Sequence, residues 1–374
     1  MIGLICRHIF STMIKLFQPF VSDEARANVQ RVLSGTQLAQ GPEVDLFEQE
    51  FAAKFGFEPW QIVSLNSGTS ALELAYELLE LTEYDHVISP VLTCTATNIP
   101  LVRRKVKMSF GDIEGKRSLN MDPEDVSFKI LPETKALVFV HFGGSSYNLD
   151  AFEELAEENG LDLVCDAAQA LGAELSRKAR FSCISLQAIK SLTSGDGGVL
   201  VCRDREDAIN ARKLRWFGYD RELKQRLGDC DLTAAGYKMH MNDIQAAIGR
   251  GNLAHWDEIV EHRQAINDAY IHAWNYATEP RGHLIPGIWN PQVTGLPYSQ
   301  WKDRVTKADP NSLWDGFEIG QHHYRNDNYS IFRSVSSICP NMSDLDDNYF
   351  MLPCHMGMTV KDAERIAITI WPTK

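Results

Sequence analysis

Ile62-Val63-Ser64-Leu65 runs directly into Asn66-Ser67-Gly68-Thr69-Ser70, and an apolar segment from Ala71 to Leu79 follows. This order predicts a short strand, a glycine-containing turn and a helix. Five more short apolar runs, separated by segments of helical periodicity, follow at residues 86–89, 107–110, 136–140, 161–165 and 198–202. Short buried strands that alternate with helices predict an α/β fold with a mostly parallel sheet flanked by helices.

The length of the chain, 374 residues and 42.2 kDa, exceeds what one simple core usually organises. We therefore predict a large domain over residues 14–255 and a smaller C-terminal domain over residues 256–374. Residues 1–13 are interpreted as a loose N-terminal extension. Arg7 and His8 interrupt its apolar character, and it lacks the small-residue cleavage site of a signal peptide.

Charge and cysteine usage exclude several classes of protein. The formal net charge of −13 argues against a nucleic-acid partner, because such a surface needs a concentrated basic stripe. No run approaches the roughly 20 uninterrupted apolar residues of a membrane span, so no membrane partner is predicted. The eight cysteines are scattered without a C-x-x-C pair, which predicts no metal site and suits a reducing cytoplasm.

Lys190 stands at the end of the apolar stretch 182–189 and directly before a segment rich in serine and glycine. Burial lowers the pKa of an amine and makes it available as a nucleophile towards a carbonyl group. On this segment alone, a surface lysine at the edge of a strand is an equally good interpretation.

Asp166 follows the apolar run 161–165, which ends a predicted strand. A carboxylate at the C-terminal edge of a parallel sheet lies where ligands bind in open α/β folds. There it would keep a pyridine nitrogen protonated, so that the ring can act as an electron sink. The alternative is an N-cap for a following helix, although the apolar flank favours a functional role.

The turn around Gly68 and Thr69 opens a helix and can offer backbone amides to a phosphate at the positive end of the helix dipole. An ordinary Ser/Thr cap with a glycine turn explains the same residues. The order phosphate turn, strand-end aspartate and lysine is a stronger signal than any one of the three.

With these three features, the sequence resembles the DegT/DnrJ/EryC1/StrS sugar aminotransferases, which are fold type I enzymes that depend on pyridoxal 5′-phosphate (PLP). The resemblance extends from Ile14 to Ile370. The matching stretches are residues 33–35 through 40–42, 66–72, 166–170, 185–198, 236–238, 245–249 and 352–355. The resemblance implies an aspartate aminotransferase-like fold, with a large domain and a smaller C-terminal α+β domain.

The resemblance also implies roles for individual residues. It makes Lys190 the Schiff-base lysine, Asp166 the partner of the pyridine nitrogen, and Gln169 a contact on the side of the ring hydroxyl. Ser185, Gly68 and Thr69 become ligands of the phosphate. Lys190 and Asp166 are thus the expected catalytic residues.

The activity that the resemblance implies is transfer of an amino group from an amino acid, expected to be glutamate, to a nucleotide-linked keto-deoxy sugar. Such chemistry serves cell-surface polysaccharide or amino-sugar biosynthesis. Related sugar 3-dehydratases carry histidine in place of the lysine, so Lys190 favours transamination. A homodimer with shared active sites is implied, with the loop Gly236–Asn242 reaching the neighbouring subunit. Two alternatives are another fold type I reaction on an amino acid and a PLP-binding regulator without turnover.

The sequence departs from the family pattern at two cofactor positions. Cys94 stands where many relatives have Phe or Trp stacked on the pyridine ring, and it offers less contact area. His240 stands where relatives have Asn or Arg, and is interpreted equally well as a phosphate donor or as an exposed loop histidine.

Two segments also differ in length or composition. The chain is shorter between Ala173 and Ser182, which leaves the strand register there open. Between Gln292 and Phe317 it lacks an aromatic-rich strand, which suggests an incomplete small-domain sheet. In the segment 319–327, His323, Tyr324 and Arg325 are interpreted as facing a sugar diphosphate, with a solvent-exposed polar loop as the alternative.

Overall fold

A computed structural model describes residues 13–278, 282–305, 316–321, 323, 325–336 and 338–372. The predicted extension at residues 1–13 lies outside this range except for Met13. Within the described ranges, no helix is long and apolar enough to cross a membrane.

Helices make up most of the regular structure. Their bounds are α1 Asp23–Leu33, α2 Pro42–Phe55, α3 Gly68–Leu78, α4 Thr95–Arg103, α5 Pro123–Ser127, α6 Leu149–Glu158, α7 Arg205–Leu214, α8 Arg221–Leu227, α9 Asp243–Leu253, α10 Trp256–Asn275, α11 Tyr298–Val305, α12 Pro340–Leu345 and α13 Val360–Ile370. Short 3-10 turns lie at Pro59–Gln61, Phe142–Gly144, Asn326–Asn328 and Ser330–Phe332.

The strands form three sheets. Their bounds are β1 Ile62–Leu65, β2 His86–Pro90, β3 Lys107–Gly111, β4 Ile113–Gly115, β5 Ser118–Met121, β6 Thr134–Val140, β7 Asp162–Asp166, β8 Phe181–Ser185, β9 Gly198–Cys202, β10 His283–Ile285, β11 Gln292–Thr294 and β12 Tyr349–Met351. Strands β4 and β5 form a separate hairpin.

The central sheet has seven strands in the order β1-β9-β8-β7-β6-β2-β3. Strands β8, β7, β6, β2 and β3 pair in parallel, and β9 runs antiparallel to both of its neighbours, β8 and β1. This confirms the predicted mostly parallel sheet. The register of β8, which the sequence left open, pairs Phe181 with Val164 and Cys183 with Asp166.

Alternation along the strands explains why helices cover both faces of this sheet. Cys183 on β8 packs in one apolar cluster with α3, whereas the next residue, Ile184, packs in a second cluster with α2. Burying each large apolar side chain contributes roughly 1.5–3 kcal/mol, so neither face can be left open to water. The carboxyl ends of the strands remain as the accessible edge.

A second, smaller sheet follows α10. Strands β10, β11 and β12 pair antiparallel, and a separate apolar cluster that includes Tyr270, Phe350 and Trp371 packs them against α10 and α13. The segment that lacks the expected aromatic strand forms the short strand β11 and then α11, while residues 306–315 lie outside the described residues. The predicted domain boundary at residues 255–256 falls between α9 and α10 and stays a prediction.

Candidate active site

Three strand ends bring the predicted residues together. Asp166 is the last residue of β7 and Ser185 the last residue of β8, and these two strands are neighbours. Lys190 follows five positions after Ser185, and the phosphate turn follows β1. Carboxyl ends of parallel strands meet at one edge of a sheet, which is where open α/β folds bind ligands.

Lys190 is largely removed from water at this edge. Burial lowers the pKa of its amine to about 8, although the nearby Asp166 and Cys94 favour the charged form. The amine nitrogen lies 4.1 Å from the centre of the Trp289 ring. The alternative of an exposed strand-edge lysine is therefore wrong, and a substantial fraction of the amine is neutral near pH 8.

Asp166 is buried, and each of its carboxylate oxygens has one neutral donor. The Thr97 hydroxyl donates to Oδ2 over 2.7 Å, and the Ala168 amide donates to Oδ1 over 3.1 Å. Burial raises the pKa of Asp166, while these two donors and the charge of Lys190 oppose the rise. No helix begins between β7 and β8, so the N-cap alternative fails. Free lone pairs remain for a cationic N–H.

Gln169 ties the site to a glycine pair in the turn after β6. Its side-chain Oε1 accepts a hydrogen bond from the Gly143 amide at 2.6 Å. Gly144 has φ +87°, and a Cβ there would lie 2.6 Å from the Gln169 carbonyl oxygen. The Gln169 side chain is therefore held beside Gly143, and its predicted contact with a ring hydroxyl stays a prediction.

The turn before α3 combines a cap with a free helix end. The Ser67 hydroxyl accepts from the Ser70 amide at 3.1 Å, so the cap interpretation is correct for Ser67. Gly68 and Thr69 begin the helix, and the first amides of a helix have no intrahelical acceptor. They stay available for an anion.

Two close approaches shape this turn into a cradle. A Cβ on Gly68 would lie 2.7 Å from the Ser185 Cβ, so only glycine leaves space there. From the opposite side, a Cβ on Gly198 would lie 2.2 Å from the Ser67 carbonyl oxygen. The predicted phosphate residues Gly68 and Ser185 are in contact.

His240 lies beside the same turn within its own chain. His240 forms an isolated antiparallel β-bridge with Leu65 at the end of β1. The neighbouring Met239 carbonyl accepts a hydrogen bond from the Asn66 amide at 2.7 Å. Its ring packs edge-on to Trp216 at 4.2 Å. Burial and then the Arg215 guanidinium lower the pKa of His240 to about 4. It is a neutral, half-buried side chain and not an exposed loop histidine.

Cys94 directly precedes α4 and is partly buried at the site. Burial raises the pKa of its thiol, which also interacts with the charges of Asp166 and Lys190. The thiol is therefore a neutral, compact group near Asp166 and Lys190, and its contact with a cofactor ring stays a prediction.

Trp289 is not among the site residues that the sequence predicted. Its ring lies under the Lys190 amine and is stacked on the ring of Phe17 at 5.2 Å between centroids. About 100 residues separate Trp289 from Lys190, and nothing in the local pattern of either segment links them. The site thus has an aromatic wall that comes from outside the central sheet.

The predicted substrate residues lie on a loop that packs onto the central sheet. His323 is buried, with its ring 6.2 Å from that of Phe142. The Arg325 guanidinium makes two 2.7 Å contacts with Asp327 and one of 3.0 Å with the Ser343 hydroxyl. Tyr324 lies outside the described residues. Arg325 therefore already has an internal anionic partner.

Asn326 fixes this loop above the segment that leads to Cys94. Its amide donates to the Val91 carbonyl at 2.7 Å, and its side chain donates to the Thr93 carbonyl at 2.8 Å. The loop is therefore placed beside the site even though Arg325 does not point a free charge at it.

A large cavity of about 1020 Å³ lies elsewhere, between α2, α7 and α8. Residues on its wall include Gln40, Trp60, Arg212, Trp216, Tyr219 and Arg221. It contains no activated nucleophile, so we locate the reaction at Lys190 and not in this cavity. Among the described residues, no group of three His, Cys, Asp or Glu side chains is placed to hold a metal ion.

Known proteins resemble this chain in sequence and in fold. A sequence profile of the DegT/DnrJ/EryC1/StrS aminotransferase family matches residues 19–370. A dTDP-4-dehydro-2,3,6-trideoxy-D-glucose 4-aminotransferase from Saccharopolyspora spinosa is 32% identical over 95% of each chain. The spore coat polysaccharide biosynthesis protein SpsC of Bacillus subtilis is 32% identical over 78% of this chain and 75% of its own.

Among solved structures, the sugar aminotransferase CalS13 from Micromonospora echinospora superposes with a TM-score of 0.87. It is 27% identical, and the match covers 96% of this chain and 99% of CalS13. The expected fold of a large sheet-containing domain and a smaller α+β part is thereby confirmed.

Proposed function

This chain belongs to the DegT/DnrJ/EryC1/StrS aminotransferase family, and on that premise we propose that it transfers an amino group from glutamate to a nucleotide-linked keto-deoxy sugar. The observation that carries the proposal is the Lys190 amine, with its pKa lowered to about 8, at the strand edge that also holds Asp166. The relative named for a dTDP-linked sugar matches over nearly the whole chain, which supports a nucleotide-sugar acceptor. The relative named for spore coat polysaccharide supports a role in polysaccharide or amino-sugar biosynthesis.

The groups at this strand edge fit PLP. The free amides of Gly68 and Thr69 with the Ser185 hydroxyl would hold its phosphate, and Cys94 and Gln169 would flank its ring. When bound, PLP supplies an electron sink for the carbon that carries the amino group. The remaining chemistry belongs to side chains of this chain.

Asp166 holds a proton on its ligand. Buried with only neutral donors, its carboxylate gains most from a cationic N–H placed against its free lone pairs, because charges interact strongly where water is excluded. That contact keeps the nitrogen protonated and stabilises negative charge that develops elsewhere on the ligand.

Lys190 acts first as a nucleophile and then as a proton carrier. Its lowered pKa leaves a neutral fraction that can attack a carbonyl carbon near neutral pH. Once released from that carbon, the amine can take a proton from the donor Cα and deliver it to the former carbonyl carbon. A pKa near the working pH suits both directions of this transfer.

A homodimer is also part of this proposal. The chain segments that line the 1020 Å³ cavity and a smaller one beside it carry exposed apolar side chains, among them Leu38, Leu46, Ile209 and Phe217. The strip 238–240 lies along β1, which is the edge strand of the sheet. A second copy that covers this face would bury these side chains and place His240 near the shared boundary.

The dimer is tested with Phe217→Asp, since aspartate tolerates the positive φ of 58° at this position. Light scattering should show a dimer for the wild type and a monomer for the variant. Phe128→Asp is the matched control, because Phe128 is 82% exposed on a different surface. A monomeric wild type, or a dimer unaffected by Phe217→Asp, would contradict the proposal.

We further propose a cytoplasmic location, which the free thiols of all seven cysteines described in the structure support.

Two other functions remain as alternatives, a different fold type I reaction on an amino acid and a PLP-binding regulator without turnover. The joint presence of Lys190, Asp166 and Gln169 at one strand edge favours turnover.

The first experiment compares the absorption spectra of the wild type and Lys190→Ala with added PLP, before and after glutamate. We expect the wild type to show a visible band from covalently attached cofactor, glutamate to bleach it, and Lys190→Ala to lack it. Adding dTDP-4-dehydro-2,3,6-trideoxy-D-glucose should then restore the band and yield an amino sugar by mass spectrometry. No band in the wild type would favour the regulator, and bleaching without sugar-dependent restoration would favour another amino-acid reaction.

A further inference from the structure

Trp289 contacts two consecutive residues of the lysine segment. Its ring centre lies 4.1 Å from the Lys190 amine nitrogen, and its indole Nε1 donates to the Ile189 carbonyl at 3.0 Å. Trp289 itself is fully buried, with Phe17 stacked at an interplanar angle of 18°. One rigid side chain thus fixes both the backbone before Lys190 and the charged end of Lys190.

The backbone of Trp289 extends this link to the other end of the site. Its amide donates to the Gly143 carbonyl at 3.2 Å, and the Gly143 amide donates to Gln169 Oε1 at 2.6 Å. A Cβ at Gly144 would lie 3.1 Å from the Trp289 nitrogen, so the glycine pair leaves room for this approach. A continuous path of direct contacts runs from Lys190 through Trp289 and Gly143 to Gln169.

We propose that Trp289 is a positioning residue for Lys190, which holds the amine over its ring whenever the amine is not bonded to a carbonyl carbon. This inference rests on the proposed function, because it concerns the lysine of that reaction. The face of an indole attracts an ammonium group by its quadrupole, and the attraction strengthens where water is excluded. The released amine therefore stays beside the reacting carbon.

The charges around Lys190 make this contact measurable. Asp166 on β7 and Cys94 before α4 are the titratable groups that act on the amine, and both favour its protonated form. The Trp289 ring acts in the same direction, against burial. Removing the ring should lower the pH at which Lys190 becomes reactive, since the ammonium form loses a stabilising contact.

The test measures how fast the full-length protein, freed of cofactor by dialysis, develops the visible band after PLP is added between pH 6 and pH 10. The wild-type rate should have its midpoint near pH 8, where Lys190 loses its proton. Trp289→Leu should move the midpoint down by about one pH unit. Trp289→Phe, which keeps a ring, should keep the wild-type midpoint.

Phe17→Leu is the matched control, because it removes the ring stacked on Trp289 without removing the ring under Lys190. It should lower thermal stability and leave the midpoint unchanged. A shift in Phe17→Leu as large as in Trp289→Leu, or an unchanged or raised midpoint in Trp289→Leu, would overturn the proposal. A wild type that forms no band would instead contradict the proposed function.

If Trp289→Leu does not fold, Trp289→Phe decides the question through the lost hydrogen bond to Ile189. The plateau rate should then fall about fivefold, as expected for one hydrogen bond, with the midpoint unchanged. A plateau rate equal to that of the wild type would show that Trp289 only fills space.

Discussion

Asp166 and Arg325 are both largely buried charges near the site, yet the protein neutralises them differently. Asp166 accepts from a hydroxyl and a backbone amide, and neither donor carries charge. Arg325 forms a two-pronged ion pair with Asp327 at 2.7 Å for each contact. A buried charge without a fixed counter-charge is costly to fold, so it marks a place that a charged ligand completes. A charge that already has its partner holds structure together.

The largest expected effect is that of Asp166→Asn. Asparagine keeps an acceptor oxygen for Thr97 but cannot hold a proton on the ligand by charge. We expect activity to fall by about 10²–10³-fold, as for the loss of one preorganised electrostatic contact. Unfolding without cofactor should become harder, because the substitution removes a buried charge without a fixed partner. Unchanged activity in steady-state assays would show that Asp166, like Arg325, holds structure together and does not serve a charged ligand.

Lys190→Met tests how much the burial of a cation at the site destabilises the fold. The folded-state pKa of Lys190 is depressed from 10.5 to about 8, because burial disfavours the charged amine. Above pH 10.5 the amine is neutral in both states and does not destabilise the fold. The fold loses stability as the pH falls from 10.5 to 8. Lys190→Met should match the wild type near pH 10.5 and exceed it by about 3 kcal/mol at pH 8 and below, without cofactor. Denaturant unfolding at several pH values measures this gap, and a constant gap would show that Lys190 is not desolvated.

The smallest expected effect belongs to the ion pair. Arg325→Gln and Asp327→Asn should each lower the free energy of unfolding by about 1–2 kcal/mol, since each removes the oppositely charged neighbour of a largely buried charge. The double variant should recover part of that loss. KM for the nucleotide sugar should change little. A tenfold rise in KM for Arg325→Gln at unchanged stability would instead support the diphosphate contact that the sequence suggested.

Local patterns were enough to predict the features that one stretch of chain forms by itself. The order of strand, turn and helix at residues 62–78 appears as predicted, although the helix begins at Gly68 and not at Ala71, and Asp166 ends its strand at the expected edge. For these features the deciding interactions lie within a few positions along the chain. The segment around Lys190 alone left a surface lysine equally possible, and the order of phosphate turn, strand-end aspartate and lysine was needed to favour a nucleophile.

The features that sequence reasoning missed depend on packing between distant segments. The Trp289 ring under Lys190 comes from a stretch without a distinctive pattern. The ring of Trp216 packs against His240 and leaves it half-buried. Asp327 pairs with Arg325 in the structure, but the sequence alone would equally allow Asp327 to face solvent. Side-chain partners chosen by tertiary contact leave no periodic signal in a single sequence.

Gly198 begins the one strand of the central sheet that runs against its neighbours, and it contributes no group to the chemistry. A Cβ there would nevertheless lie 2.2 Å from the Ser67 carbonyl oxygen and 2.6 Å from the Gly68 nitrogen. In a saturation library scored by growth, we expect position 198 to tolerate as few replacements as position 190. New acceptor specificity in this scaffold is therefore expected to arise at positions other than 198, because a side chain there would collide with the backbone of the turn.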